Sequence, residues 1–132
     1  MTNSGIISNV FMLKDGSWQG LPPMKHARDY AACVVWKNEL HVMGGYSAAG
    51  KSVEIMNLIT HQWRTGPSLP SSFHTVQPII HSDAIFLINE GDGKIVKLLD
   101  DTEWKEVGRT GNLGNGLLYS PPIVTADILG CN

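Results

Sequence analysis

The residues with the clearest chemical pattern run from Gly45 to Ser52 and read GYSAAGKS. They fit the phosphate-binding loop pattern G-x-x-x-x-G-K-[ST] at every fixed position. In such a loop, backbone N–H groups and the lysine bind phosphate oxygens, the serine hydroxyl binds Mg²⁺, and a helix follows directly. The residues after Lys51 are rich in β-branched types, which disfavour a helix. We therefore expect a loop between two strands, with a nucleotide-binding protein as the alternative.

Histidine and cysteine show no pattern typical of a catalytic or metal site. The histidines are His26, His41, His61, His74 and His81. Their spacing fits neither a zinc finger nor a pair on one helix face, and no local nucleophile signature surrounds a serine. The two cysteines, Cys33 and Cys131, are too few for a disulfide framework, and Cys33 is expected to be a small buried side chain. The sequence predicts no enzyme activity, no catalytic residue, no metal and no cofactor.

The composition is that of an ordinary globular domain. The 132 residues include 10 Lys+Arg and 12 Asp+Glu, so the formal net charge is -2. This balance lacks the positive field that attracts nucleic acid or anionic lipid. The sequence has neither an apolar run of roughly 20 residues nor a signal-peptide pattern. We expect a cytoplasmic protein that binds neither nucleic acid nor membranes.

A repeat organises the chain. Trp18, Trp63 and Trp104 lie 45 and 41 residues apart. Between them, short runs of β-branched and aromatic residues end at Gly, Asn or Asp, as strands do. Each full interval therefore predicts a unit of four antiparallel strands with the tryptophan in the fourth.

The two units have corresponding strands and turns. In the first unit the predicted strands are Tyr30 to Trp36, Glu39 to Met43, Ser52 to Leu58 and a strand at Trp63, with a tight turn at Lys37-Asn38. In the second they are Val76 to Ile80, Ala84 to Ile88, Lys94 to Leu99 and a strand at Trp104, with a turn at Ser82-Asp83. Pro78 would remove a ladder hydrogen bond from a central strand, so the first strand of a unit is predicted to lie at a sheet edge.

The first unit resembles the kelch repeat, and most of all the kelch region of BTB-kelch proteins. The resemblance rests on the Gly44-Gly45 pair after the second strand, on Trp63, and on the segments from Pro23 to Tyr30 and from His41 to Tyr46. The second unit has Asn89-Glu90 at the glycine pair. The resemblance implies an all-β fold, a partial kelch-type β-propeller of four-stranded antiparallel blades, two whole and two half. The predicted divisions are a half blade (1–24), a blade (25–70), a degenerate blade (71–110) and a half blade (111–132).

The resemblance also implies how the chain closes and what it does. Closed propellers have at least about four blades, so we expect either a fragment of a longer propeller or a homodimer that completes six blades. Trp18, Gly44, Gly45, Trp63 and Trp104 are expected to be structural. A non-enzymatic scaffold is implied, which binds a protein or peptide on one loop rim as actin-organising kelch proteins or ubiquitin-ligase substrate adaptors do.

Nine residues on the predicted rim loops are expected to contact this partner. They are Arg28, Asp29, Tyr46, Ser47, Lys51, Phe73, His74, Asp92 and Asn112. Arg28 could pair with a partner carboxylate through its planar fork, and an internal bracing role is the open alternative. For Tyr46 and Phe73, packing between blades is the alternative to an interface role.

Overall fold

The computed structural model describes residues 8–45, 50–73, 76–89, 92–109 and 129–131. Within these ranges the chain forms eleven strands and no helix. The strands are β1 (Val10–Lys14), β2 (Ser17–Leu21), β3 (Ala32–Trp36), β4 (Glu39–Met43), β5 (Val53–Asn57), β6 (Trp63–Thr65), β7 (Val76–His81), β8 (Ala84–Asn89), β9 (Lys94–Leu99), β10 (Glu103–Arg109) and β11 (Leu129–Cys131).

The described strands form three antiparallel sheets. The first has the order β11-β1-β2, the second β3-β4-β5-β6, and the third β7-β8-β9-β10. The predicted all-β fold with four-stranded antiparallel units is confirmed. Pro78 lies in β7 at the edge of the third sheet, where its missing N–H removes no hydrogen bond between central strands.

Two-residue turns set the register of each hairpin. Lys37 and Asn38 have φ of 51° and 62°, and Ser82 and Asp83 have φ of 50° and 58°. Two consecutive residues with positive φ define the type I′ turn, whose twist matches that of the flanking strands. Both turns lie where the sequence predicts them, and the β3–β4 pairing begins at once with Trp36 opposite Glu39.

Two apolar layers hold the sheets against one another. The layer between the first and second sheets contains Val10, Leu21, Met24, Leu40, Val42 and Met56. The layer between the second and third contains Ala32, Met43, Val53, Ile55, Leu69, Phe73, Ile85, Leu87, Val96, Leu98 and Trp104. Because side chains alternate along a strand, the second sheet contributes one face to each layer.

Strands from both ends of the chain share the first sheet. β11 pairs with β1, with Val10 opposite Cys131 and Met12 opposite Leu129. The strands predicted between Leu117 and Leu129 otherwise fall outside the described residues, so the half-blade divisions 1–24 and 111–132 stay a prediction.

One expectation about the cysteines is wrong. Cys33 is half-buried on β3 and forms a disulfide bond, instead of being a free buried thiol. The chain's one other cysteine is Cys131, in β11. The two positions are 98 residues apart in the sequence, and the pairing of β11 with β1 places β11 close to β3.

Candidate functional site

A buried arginine organises the loops at one end of the second sheet. Arg28 precedes β3 and is 0% exposed. Its Nη1 donates to the carbonyl oxygens of Gly44 at 2.8 Å and Ser52 at 3.0 Å, and its Nη2 donates to Ser52 Oγ at 2.7 Å and Glu54 Oε2 at 2.9 Å. Arg28 therefore joins the loop before β3 to the end of β4 and the start of β5.

Glu54 completes this network from β5. Its carboxylate accepts hydrogen bonds from the backbone N–H groups of Lys25 at 2.7 Å and His26 at 3.1 Å, besides the bond from Arg28. Burial raises the pKa of the Glu54 carboxyl, but these hydrogen bonds outweigh it and hold the pKa below its ordinary value. The carboxylate stays charged and fixes residues 25–28 in one conformation.

The glycine pair allows a neighbouring loop to approach closely. Gly44 and Gly45 have φ of 72° and 122°, and the N–H of Gly45 donates to the Phe73 carbonyl at 2.7 Å. A Cβ on Gly44 would overlap that carbonyl, and a Cβ on Gly45 would lie 2.8 Å from the Asp29 carbonyl oxygen. Only glycine fits at these two positions, and the glycine pair therefore lets the loops before β3 and β7 pack against the end of β4.

The structure changes the role of two predicted contact residues. Arg28 and Phe73 are each 0% exposed, Arg28 within its own hydrogen bonds and Phe73 within the apolar layer of the second and third sheets. Neither side chain is accessible to a partner, so the expectation that they bind one is wrong and both are structural. For Arg28, this is the bracing alternative left open by the sequence.

The other predicted contact residues fall into two groups. Lys51 and Asp92 are exposed and Asp29 is half-buried, all on loops at the same end of the sheets. Asp92 Oδ1 accepts the backbone N–H of Lys94 at 2.9 Å, which orders the start of β9. The remaining four residues, Tyr46, Ser47, His74 and Asn112, lie outside the described residues.

Sequence reasoning missed Tyr30. We predicted that it begins a strand, but β3 begins at Ala32 and Tyr30 has φ of 54°. Positive φ is rare for a bulky side chain and indicates a conformation imposed by its surroundings. Tyr30 is 63% exposed beside Asp29. A large aromatic side chain held in an unfavourable conformation and exposed to solvent is typical of a binding residue.

The repeated tryptophans have different environments. Trp63 is half-buried and its Nε1 donates to the Pro22 carbonyl of the preceding unit at 2.8 Å. Trp104 is 7% exposed and packs with Val53 and Ile55 of the second sheet. Trp18, on the first sheet, is 58% exposed. Trp63 and Trp104 pack towards the preceding sheet, and among the described residues no sheet precedes that of Trp18.

The structure overturns the nucleotide-binding alternative. A strand, β5, begins at Val53 where the phosphate-binding loop requires a helix. Lys51 lies in a turn, and the Ser52 hydroxyl that would bind Mg²⁺ accepts a hydrogen bond from Arg28. The segment connects two antiparallel strands, and its described residues, 45 and 50–52, include no helix N-terminus that could bind phosphate.

Two further features of the described residues bear on function. The described residues contain no helix long and apolar enough to cross a membrane. The same residues contain no group of three or more His, Cys, Asp or Glu side chains that could hold a metal ion. A cavity of about 490 Å³ lies at the opposite end of the sheets, lined in part by Trp36, Lys37 and Asp83. Lys37 Nζ lies 4.3 Å from the Trp36 ring centroid and 3.2 Å from Asp83 Oδ2.

Stacked four-stranded antiparallel sheets, with the outer-strand tryptophan of one packing against the sheet before it, define a β-propeller segment. Residues 27–70 match the Kelch motif family. The chain is a partial kelch-repeat β-propeller.

Comparison with known proteins gives the same fold. The chain is 26% identical over 102 residues to an F-box/kelch-repeat protein of Arabidopsis thaliana, covering 73% of this chain and 24% of that protein. It is 28% identical over 99 residues to a putative F-box/kelch-repeat protein of the same plant, covering 69% of this chain and 26% of that protein. It thus spans about a quarter of the length of these curated relatives. A solved structure of YjhT superposes with a TM-score of 0.65 at 13% identity, covering 80% of this chain and 46% of that one.

Proposed function

We propose that this chain forms part of a non-enzymatic scaffold that binds a protein or peptide on the rim formed by residues 25–30, 44–45, 50–52, 71–73 and 92–93, which we call the loop rim. The observation that carries the proposal is the contrast between fixed backbone and exposed side chains. Arg28 and Glu54 hold the loops from inside, while Tyr30 and Lys51 extend into solvent. A loop fixed before binding loses little conformational entropy when a partner docks.

The side chains of the loop rim favour a partner segment that combines apolar and acidic groups. Tyr30 offers a rigid aromatic surface, and tyrosine is enriched among the residues that dominate binding energy. Lys25 and Lys51 are exposed on the same rim and supply positive charge. Asp29, Asp92 and the predicted contacts outside the described residues, Tyr46, Ser47, His74 and Asn112, remain part of the proposed surface.

The kelch resemblance supports a role in a larger assembly. Actin organisation and ubiquitin-ligase substrate adaptation are the roles it implies. The two plant relatives are named for an F-box as well as for kelch repeats, and this chain spans about a quarter of their length. We infer that the chain contributes the recognition surface, and that any activity of an assembly comes from other segments or subunits.

Cytoplasmic location also remains part of the proposal, and Cys33 makes it testable. Disulfides are rare in the reducing cytosol, whereas Cys33 forms one in the structure. Alkylation of thiols in intact cells, followed by mass spectrometry, measures the fraction of Cys33 that is reduced. A cytoplasmic protein gives a mainly alkylated Cys33, and a fully protected Cys33 would place the protein in an oxidising compartment.

Binding at the loop rim is tested with peptides selected from a displayed random library on the wild-type chain. Tyr30→Ala and Lys51→Glu are each expected to weaken the binding of a selected peptide by about tenfold or more, since removing an anchor residue costs more than about 1 kcal/mol. Calorimetry measures this affinity. Ile59→Ala is the matched control, because Ile59 is 77% exposed in the β5–β6 hairpin at the opposite end of the sheets. Affinity lost with Ile59→Ala and kept with both rim variants would refute the proposal.

A further inference from the structure

The first sheet has an open apolar face. Leu13 lies opposite Trp18 and Phe11 lies opposite Gly20 in the β1–β2 register, so all four residues are on the same side of the sheet. Phe11 is 44% and Trp18 58% exposed, whereas Val10 on the other side is 2% exposed. We call Phe11, Leu13 and Trp18 the Trp18 face. Clustered exposed aromatic side chains mark an interaction surface.

The equivalent face is covered in both other sheets. The residue paired with the tryptophan is Leu13 in the first sheet, Met56 in the second and Leu98 in the third. Met56 is 0% and Leu98 6% exposed, and each is buried against the preceding sheet. The Trp18 face is therefore one half of an interface that occurs twice within the chain.

The third sheet presents the other half. The residue three positions before the strand partner of the tryptophan is Val10 in the first sheet, Val53 in the second and Ile95 in the third. Val10 and Val53 are 2% and 1% exposed because the following sheet covers them. Ile95 is only half-buried, and Ile79 on the same side is 39% exposed. We call Ile79, Phe86, Ile95 and Lys97 the Ile79 face.

We propose that the Trp18 face binds the Ile79 face of a second copy of this chain. The described part of one copy carries both halves of the interface, one on its first sheet and one on its third, so two copies related by a two-fold axis satisfy both halves at once and close a ring. Such a ring has six sheets, within the range of closed propellers. The chain matches 46% of the YjhT structure, so two copies correspond to nearly one whole neighbour. This inference rests on the fold and is independent of the proposed function.

The two faces are chemically suited to one another. The Trp18 face is apolar and the Ile79 face is apolar except for Lys97, whose Nζ lies 5.7 Å from the Phe86 ring centroid. In the ring, this ammonium is positioned to approach the Trp18 indole, and tryptophan is the strongest cation–π acceptor among the side chains. The N–H of Trp18 requires an acceptor equivalent to the Pro22 carbonyl that Trp63 uses.

The experiment is light scattering coupled to size exclusion. The wild-type chain is expected at 28.8 kDa, twice the 14.4 kDa chain mass. Trp18→Asp and Ile79→Asp are each expected to weaken the dimer by about 30-fold or more, as loss of a central anchor does. Ile59→Asp, which changes a still more exposed apolar side chain outside both faces, is expected to leave the dimer intact. Circular dichroism checks that each variant keeps its sheets.

Mixing the two monomeric variants gives a second readout. One interface in the mixed pair carries both substitutions and the other carries neither, so an equimolar mixture is expected to regain mass towards 28.8 kDa. A wild-type chain that stays at 14.4 kDa at all concentrations would overturn the proposal, and so would a dimer that Trp18→Asp leaves unchanged. If Trp18→Asp loses the dimer but keeps its affinity for a selected peptide, the dimer interface and the loop rim are separate surfaces, so either proposal can fail without the other.

Discussion

Replacing Arg28 by alanine tests whether the loop rim is held from within. The substitution removes four hydrogen bonds, two to backbone carbonyls, one to Ser52 Oγ and one to Glu54. It also leaves the Glu54 carboxylate 4% exposed without its cation. Breaking a buried ion pair by removing one partner costs about 3–5 kcal/mol, which is a large part of the 5–15 kcal/mol typical of a domain.

The assay is urea unfolding followed by circular dichroism and tryptophan fluorescence. Arg28→Ala is expected to lower the free energy of unfolding by about 3–5 kcal/mol. Arg109→Ala is the matched control, because Arg109 is 54% exposed and pairs with Glu106 three residues away, a contact worth less than about 1 kcal/mol. The double variant Arg28→Met with Glu54→Leu, which replaces the pair by apolar side chains, is expected to recover much of the loss.

A different result would refute this reasoning. If Arg28→Ala lowers the free energy of unfolding by less than about 1 kcal/mol and abolishes binding of a selected peptide, Arg28 is a partner contact and the internal network is not what holds the rim. Stability lost in Arg28→Ala, together with a smaller loss of peptide affinity than Tyr30→Ala causes, would confirm the structural role, since a loosened rim loses conformational entropy on binding.

Three further predictions follow from particular contacts. Acidification is expected to lower stability in two steps. Burial lowers the pKa of His41 in the folded chain, so the unfolded chain takes up that proton first and stability falls as the pH drops below 6.5; the folded pKa of Glu54 also lies below its ordinary value, so a second loss follows as the pH drops below 4.5. Thermal melts from pH 8 to 3 measure both steps, and a first step that persists in His41→Phe would contradict the assignment. Gly44→Ala is expected to cost more than about 2 kcal/mol in urea unfolding, because alanine at this positive φ overlaps the Phe73 carbonyl; an unchanged midpoint would show that the loops separate freely. Cys33→Ser, or a reducing agent, is expected to lower the melting temperature, since the disulfide bond of Cys33 is lost; equal melts with and without reductant would contradict a role in stability.

The sequence predicted the strands and turns well because these depend on local patterns. The predicted bounds of Glu39–Met43 and Lys94–Leu99 agree with β4 and β9 residue for residue. Each strand either alternates apolar and polar residues or is a short continuous apolar run, and the turns between strands carry residues that tolerate positive φ. The edge position of β7 followed from Pro78 alone.

The site was harder to predict because its contacts are distant in sequence. The partners of Arg28 lie 16 to 26 residues further along the chain. One signal was available: Glu54 stands among apolar residues in a strand, and a buried carboxylate requires a cationic partner. Tyr30 gave no such signal, because no local residue pattern predicts a positive φ at a tyrosine.

The disulfide and the histidine in the core illustrate the same limit. Cys33 and Cys131 are separated by almost the whole chain, and no spacing rule connects them. His41 lies on β4. It is 1% exposed with neither ring nitrogen hydrogen-bonded among the described residues, and its ring meets Trp36 edge-on at 6.1 Å. Burial of this kind depends on how two sheets pack.

The most direct test of the account is hydrogen–deuterium exchange of the chain with and without a selected peptide. The two ends of the sheets serve as internal controls for each other. Binding is expected to slow exchange at residues 25–30, 50–52 and 92–93 and to leave the hairpin turns at 37–38, 82–83 and 100–101 unchanged. Protection confined to those hairpin turns, which border the cavity near Trp36, would contradict the assignment of the loop rim as the binding surface.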